Sequence, residues 1–241
     1  MVIEVKNLKK NFGKLKAVKG ISFAVEENEI FGLLGPTGSG KTTTQRMLCT
    51  VLTPSGGTIK YHNQKISAEN IDGIRRIIGY VPQGECLYGD LTIEENLRFF
   101  AAPYRLSKEK ISSRIRELLV LLDLTERKGD LVKNLSGGLN KRASIAAALV
   151  HNPEILFLDE VTMGLDPNSR YHIWQLIREL KKHTTIVLTT HYMDEAEDLC
   201  DRIAILSKGE IVELDSPENI IRKYDSKDLN QVIGKVIEEE K

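Results

Sequence analysis

The chain has 241 residues, 41% of them hydrophobic, and 34 basic side chains against 34 acidic ones, so its formal charge is zero. That composition suits one large globular domain or two small ones with a substantial core, and the missing basic excess argues against a protein held on nucleic acid by bulk charge. Apolar runs such as Leu118 to Leu122 and Ile155 to Leu158 fall far short of the roughly 18 residues that span a bilayer, which excludes a channel.

The first residues carry charges inside every apolar stretch and read as no secretory signal, which predicts a chain that stays in the cytosol. Cys49, Cys86 and Cys200 are odd in number, widely spaced and without a CxxC pair, so they are read as plain thiols. Short β-branched runs bounded by Gly, Asn or Asp predict strands at Val2–Val5, Ile21–Val25, Ile30–Leu34, Thr58–Tyr61 and Ile77–Val81. A helix is expected after Gly40. Helical spacing then dominates from about Leu91 to Val150, over Thr92–Tyr104, Lys108–Leu122 and Gly138–Val150. Strands follow at Ile155–Leu158, Thr185–Thr189, Ile203–Leu206 and Ile211–Leu214, with helices at Pro167–Lys181 and Asp194–Cys200. Lone strands separated by helices imply parallel pairing with crossover helices. The closely spaced strands at the start and the turn Ser207–Glu210 imply an antiparallel portion. In the tail, Leu229, Val232, Ile233, Val236 and Ile237 form one apolar helical face, expected to dock on the chain's own surface.

The strongest chemical signal is Gly35-Pro36-Thr37-Gly38-Ser39-Gly40-Lys41-Thr42, which fits G-x-x-x-x-G-K-[ST] and follows the apolar strand Ile30–Leu34. Glycines let the backbone wrap a phosphate, loop N–H groups and the next helix N-terminus supply positive charge, and Lys41 reaches the β/γ-phosphates. Thr42 offers a hydroxyl to Mg²⁺. The run Ile155-Leu156-Phe157-Leu158 delivers Asp159 to the sheet edge as the expected Mg²⁺ partner through water. Glu160, next to it, is placed to polarise a water for attack on the γ-phosphate, which points to hydrolysis.

Guanine recognition normally needs Asn-Lys-x-Asp, and the nearest candidate, Asn140-Lys141-Arg142-Ala143, has Ala where the Asp belongs. Leu135-Ser136-Gly137-Gly138-Leu139 puts a hydroxyl and open N–H groups at a second helix N-terminus. One nucleotide has no need of two such turns. Two copies arranged head to tail would bring each turn to the γ-phosphate held by the other chain.

With these motifs in order, followed by Gly164-Leu165-Asp166 and His191, nearly the whole chain resembles the nucleotide-binding subunits of ATP-binding cassette (ABC) transporters. The resemblance implies an α/β fold: a P-loop NTPase (RecA-like) core with an antiparallel β portion and a helical insertion subdomain. It divides the chain into an ABC ATPase domain at 1–225 and an amphipathic tail at 226–241. Within that domain, 1–83 and 152–225 form the core and 84–151 the helical subdomain. By the same resemblance Gln83 senses Mg²⁺ and the attacking water, His191 contacts the γ-phosphate, and Asp166 links two sites across a dimer. Phe12 stacks on adenine with Val18 beside it, and Thr43 supports the α-phosphate. Leu139, Val161 and Met163 stand where the family more often has Gln, Pro and Ser, and none of the three removes a group that acts on phosphate or metal.

The implied activity is hydrolysis of ATP with Mg²⁺ by a dimer, homomeric or with a second ATPase subunit, at the cytoplasmic face of the membrane. Separate transmembrane permease subunits would supply the pore, and no nucleic acid is expected. In the family a short cytoplasmic helix of the membrane subunit sits in a groove near Gln83. The basic stretch Arg105, Lys108, Lys110, Arg114 and Arg116, against Glu109 alone, faces either that partner, anionic headgroups or solvent. The run from Thr190 to Arg202 looks like that of bacterial and archaeal exporters of drugs, lipids, polysaccharides or sodium, which predicts export. The alternatives are an importer ATPase, a soluble ABC-type ATPase acting on DNA or ribosomes, and a small-molecule P-loop kinase.

Overall fold

The computed structural model describes residues 1–239, with side chains to residue 236. Glu240 and Lys241, at the end of the expected tail, and the side chain of Ile237 lie outside the described residues. Strands β1 (Ile3–Phe12) and β2 (Leu15–Val25) form a hairpin, and β3 (Ile30–Leu34) leads to helix α1 (Lys41–Leu48). Strands β4 (Gly56–Tyr61) and β5 (Gln64–Lys65), helix α2 (Ile71–Arg76) and strand β6 (Ile78–Val81) follow. The helical stretch holds α3 (Ile93–Ala101), α4 (Lys108–Leu121) and α5 (Gly137–Leu149). Then come β7 (Ile155–Asp159), α6 (Pro167–Leu180), β8 (Thr185–Thr189), α7 (Met193–Leu199), β9 (Arg202–Ser207), β10 (Glu210–Asp215), α8 (Pro217–Lys223) and α9 (Leu229–Glu239).

A six-stranded sheet in the order β10-β9-β3-β8-β7-β6 is parallel except for the β9–β10 hairpin. A four-stranded antiparallel sheet, β2-β1-β4-β5, covers one of its faces. The strands of the large sheet alternate between two cores. Phe31, Leu33, Ile155, Phe157 and Val187 pack with β1, β2, β4 and α1, whereas Ile30, Leu34, Leu156, Leu158, Ile186 and Leu188 pack with the helices. Both faces are therefore dry, which is why these strands read as continuous apolar runs. This is the α/β arrangement of a P-loop core with an antiparallel layer and a helical insertion. The last helix, α9, buries Leu229, Val232 and Val236 against the helical core, and the Leu229 N–H donates to Glu197 Oε1 at 2.6 Å.

Three local readings need correction. The first two strands run well past Val5 and begin well before Ile21, because a bulge at Asn7 (φ 48°) shifts the apolar register from Ile3 and Val5 to Leu8 and breaks the period-2 pattern. Ile77, read as the start of a strand, instead closes α2. The short elements β5, α2 and α8 carry too few residues for a periodic signal.

Gln45 on α1 is fully buried, and neither its amide nitrogen nor its carbonyl has a hydrogen-bond partner. Two unsatisfied buried atoms cost about 1–3 kcal/mol each, and leucine is close in volume. Gln45→Leu is therefore expected to raise the melting temperature by about 2–4 °C per kcal/mol recovered, read by thermal circular dichroism.

Candidate active site

A cavity of about 490 Å³ opens at the C-terminal ends of the parallel strands. It is lined by Phe12, Leu15, Ala17, Thr37, Gly38, Gly40, Lys41, Thr42, Thr43, Gln83, Glu160, Met163 and His191. Ligands of open α/β sheets collect at such strand ends. Gly40, at φ 107°, has the Ala17 carbonyl 2.8 Å from where a Cβ would stand, and a Cβ on Gly35 would come within 2.0 Å of the Leu206 carbonyl. Only glycine fits either place. Pro36 and Ser39 form the back of the loop: the Ser39 N–H donates to the Pro36 carbonyl at 3.2 Å, and Ser39 is buried. Helices α3, α4, α5, α6 and α8 each carry a side-chain cap, but α1 has none and no acid in its first turn. Its N–H groups are thus left for an anion, so the loop fits the phosphates of a nucleotide.

Lys41 Nζ donates to the Gly35 carbonyl at 2.7 Å and the Pro36 carbonyl at 3.1 Å, and lies 4.0 Å from Glu160 Oε1. Burial pushes the Lys41 ammonium down from its ordinary pKa, against the pull of Glu160 and Asp159. A phosphate would supply the further negative charge that this buried cation lacks.

Asp159 ends β7 fully buried. Its Oδ1 accepts from Thr189 Oγ1 at 2.6 Å and from Thr42 Oγ1 at 3.1 Å. The Tyr80 hydroxyl, whose pKa burial and Asp159 push up to about 12, lies 3.5 Å from Oδ2. A hydroxyl and a carboxylate aligned at the loop suit a small hard cation that takes its remaining oxygen ligands from phosphates and water, so Thr42 and Asp159 fit Mg²⁺, while the amide of Gln83, also expected there, is engaged with Glu160 and Met163.

Glu160 adopts φ 47°, left-handed for a residue with a side chain, and its N–H is held by both the carbonyl and the hydroxyl of Thr189 at 3.1 Å. That geometry turns its carboxylate into the cavity. Oε2 accepts from Gln83 Nε2 at 3.1 Å and lies 3.5 Å from His191 Nδ1. Gln83 Nε2 also reaches Met163 Sδ at 3.4 Å. Gln83, Glu160 and His191 thus meet from three strand ends, β6, β7 and β8.

Not every expected residue lies here. Val18 is fully buried beneath Gly40 and takes no part in the cavity wall; the hairpin register presents Leu15 and Ala17 there instead. Phe12 stands at the rim, 48% exposed, with the Lys10 ammonium 5.2 Å from its ring centroid. Ser136, Gly137, Gly138 and Asp166 lie outside the cavity. The Ser136 hydroxyl accepts from the Leu139 N–H at 3.4 Å as the cap of α5, and Asp166 Oδ1 accepts from the Asn168 and Ser169 N–H groups as the cap of α6. The two turns adjoin: a Cβ on Gly138 would lie 2.9 Å from Ser169 Oγ. Leu15, Ala17, Thr189 and Tyr80 escape sequence reasoning, since only Thr189 carries a signal, as the polar end of an apolar strand.

Residues 18–163 match the family model described as ABC transporter. The chain is 42% identical to the linearmycin resistance ATP-binding protein LnrL of Bacillus subtilis, over 88% of this chain and 68% of that protein. It is 37% identical to the Nod factor export ATP-binding protein I of Burkholderia lata, over 96% of this chain and 76% of that protein. Among solved structures it superposes, with a TM-score of 0.79 and 30% identity, on a dimeric ATP-binding cassette captured after hydrolysis with ADP and Pi, covering 89% of this chain and 98% of that one.

Proposed function

The chain belongs to the ABC transporter family as an ATP-binding subunit with ATPase activity, and from that premise we propose that it works as one half of a head-to-tail ATPase dimer driving export through separate transmembrane permease subunits. The observation that carries this reading is the division of parts within one chain. The cavity gathers Lys41, Gln83, Glu160 and His191, while Ser136, Gly137 and Asp166 stand exposed outside it, with Gly138 half-buried beside them. A second subunit, identical or not, would bring that turn to the open face of the nucleotide.

In this reading Thr37, Gly38, Ser39, Gly40 and Thr43 wrap the phosphates and Phe12 stacks on adenine. Lys41 spans the β- and γ-phosphates, and Glu160 takes a proton from the attacking water that Gln83 orients. His191 and the opposing Ser136 hydroxyl donate to the γ-phosphate as charge develops. Thr42 and Asp159 would hold Mg²⁺, which would supply positive charge to offset that of the phosphates. Among the described residues no helix is long and apolar enough to cross a membrane. The resemblance to the exporter run and the name of the Nod factor relative support export as the direction.

A groove of about 550 Å³ between β6 and the helical stretch is lined by Tyr80, Cys86, Phe100, Tyr104 and His151. It is the proposed seat for a short cytoplasmic helix of the permease. Cys49 and Cys200 are buried, and Cys86 is half-exposed, so maleimide reagents are expected to modify Cys86 first. In native membranes a bound permease should slow that labelling, and the chain should copurify with a multispanning protein. Free labelling together with copurification on DNA or ribosomes would support the soluble alternative instead.

A further inference from the structure

Lys141 belongs to the Asn140–Ala143 segment that fails as a guanine-recognition motif, and nothing above uses it. Its position is distinctive. A rise of about 1.5 Å per residue places it roughly 7 Å along the same helix as the Ser136 turn, and its Nζ donates to the main-chain carbonyl of Gln83 at 2.9 Å. The other end of Gln83 donates to Glu160 Oε2. Among the described residues no backbone–backbone hydrogen bond holds the main chain of residues 83–87. The lysine contact is therefore the polar tie between the main chain of Gln83 and α5, in a stretch otherwise held by the packing of Leu87 on the helical core.

Burial pushes the Lys141 ammonium down from its ordinary pKa, against the pull of the Asp159 and Glu85 carboxylates.

We propose that Lys141 is a positioning residue: a strut through which the helix bearing the Ser136 turn sets Gln83 against Glu160. One rigid helix then carries both the group offered to the partner's nucleotide and the clamp on this chain's own Gln83. Movement of the turn on meeting the opposite phosphate would be passed to the water-orienting amide in the same subunit. This proposal rests on the roles of Gln83 and Glu160 given above.

The test is a double-mutant cycle in steady-state ATP hydrolysis, with the rate of Cys86 alkylation as a separate readout. Lys141→Met is expected to lower kcat by about ten- to a hundredfold, the upper figure being the cost of a misplacement of about 1 Å, with KM for ATP moved less than about twofold. Lys141→Arg should restore most of the rate, and it keeps the test readable if the methionine variant folds poorly. In a Gln83→Ala background, adding Lys141→Met should change kcat by less than about twofold, because the group it positions is gone. Cys86 should be alkylated faster in Lys141→Met. Where Gln83→Ala is itself slow, multiplying losses in the double variant, or a wild-type kcat in Lys141→Met, overturns the strut. If Gln83→Ala alone keeps the wild-type rate, the role of Gln83 in hydrolysis fails. Alkylation then decides for the strut: a faster rate supports it and an unchanged one rejects it.

Discussion

Glu160→Gln is expected to reduce steady-state ATP hydrolysis by about 10²–10⁴-fold, the contribution of a positioned general base, while ATP binding is kept. The amide has the shape of the carboxylate, and its oxygen can still accept from Gln83 Nε2, now 3.1 Å away. What it cannot do is accept a proton from water. Binding is preserved because Lys41 and the uncapped α1 N-terminus hold the phosphates, and because the variant removes a negative charge that faces the γ-phosphate. With the ATP-bound state no longer discharged, the dimer should accumulate and run as a stable species in gel filtration with ATP. Undiminished turnover would reject Glu160 as the base. Loss of nucleotide binding would instead show that Glu160 supports the loop, through its 4.0 Å approach to Lys41.

The parts of this site legible in the sequence are those where one segment carries both the scaffold and the chemistry. Strand β3, the glycine loop and Lys41 are contiguous, and so are the buried run of β7 and the acids Asp159 and Glu160, so a local pattern shows both position and role. Hidden parts depend on neighbours that are distant in the chain. Thr189 matters because β8 lies beside β7, which lets its hydroxyl donate to Asp159 and accept from the Glu160 N–H. Lys141 matters because α5 packs against β6 and the loop after it, a relation that no spacing reveals. The resemblance that puts Val18 beside the nucleotide carries no register: bulges along β1 and β2 turn Val18 into the core and put Leu15 and Ala17 at the cavity instead. The same bulge at Asn7 concealed the length of the first hairpin. The zero net charge bears on bulk partners such as nucleic acid and not on this site, since the affinity of the loop for phosphate comes from oriented N–H groups and one buried lysine.

Ser136→Arg separates a composite site from one completed within a single chain. Ser136 is exposed and lies outside its own cavity, so the arginine leaves Lys41, Glu160 and the loop untouched, and ATP affinity of the monomer, measured by equilibrium dialysis, should stay at the wild-type value. Hydrolysis should fall by about 10²–10³-fold, the usual cost of removing a donor to transition-state charge, because the new side chain meets the partner's γ-phosphate. The lost helix cap is worth only about 1 kcal/mol, and Ser136→Ala, which loses the cap without adding bulk, measures that share separately. Mixing decides the matter. A Ser136→Arg subunit still offers an intact cavity and a Glu160→Gln subunit an intact turn, so a heterodimer of the two has one complete site. If exchange is random and the sites act independently, roughly a quarter of wild-type activity should return from two inactive preparations. A site contained within one chain cannot be repaired in this way, and the mixture would stay inactive.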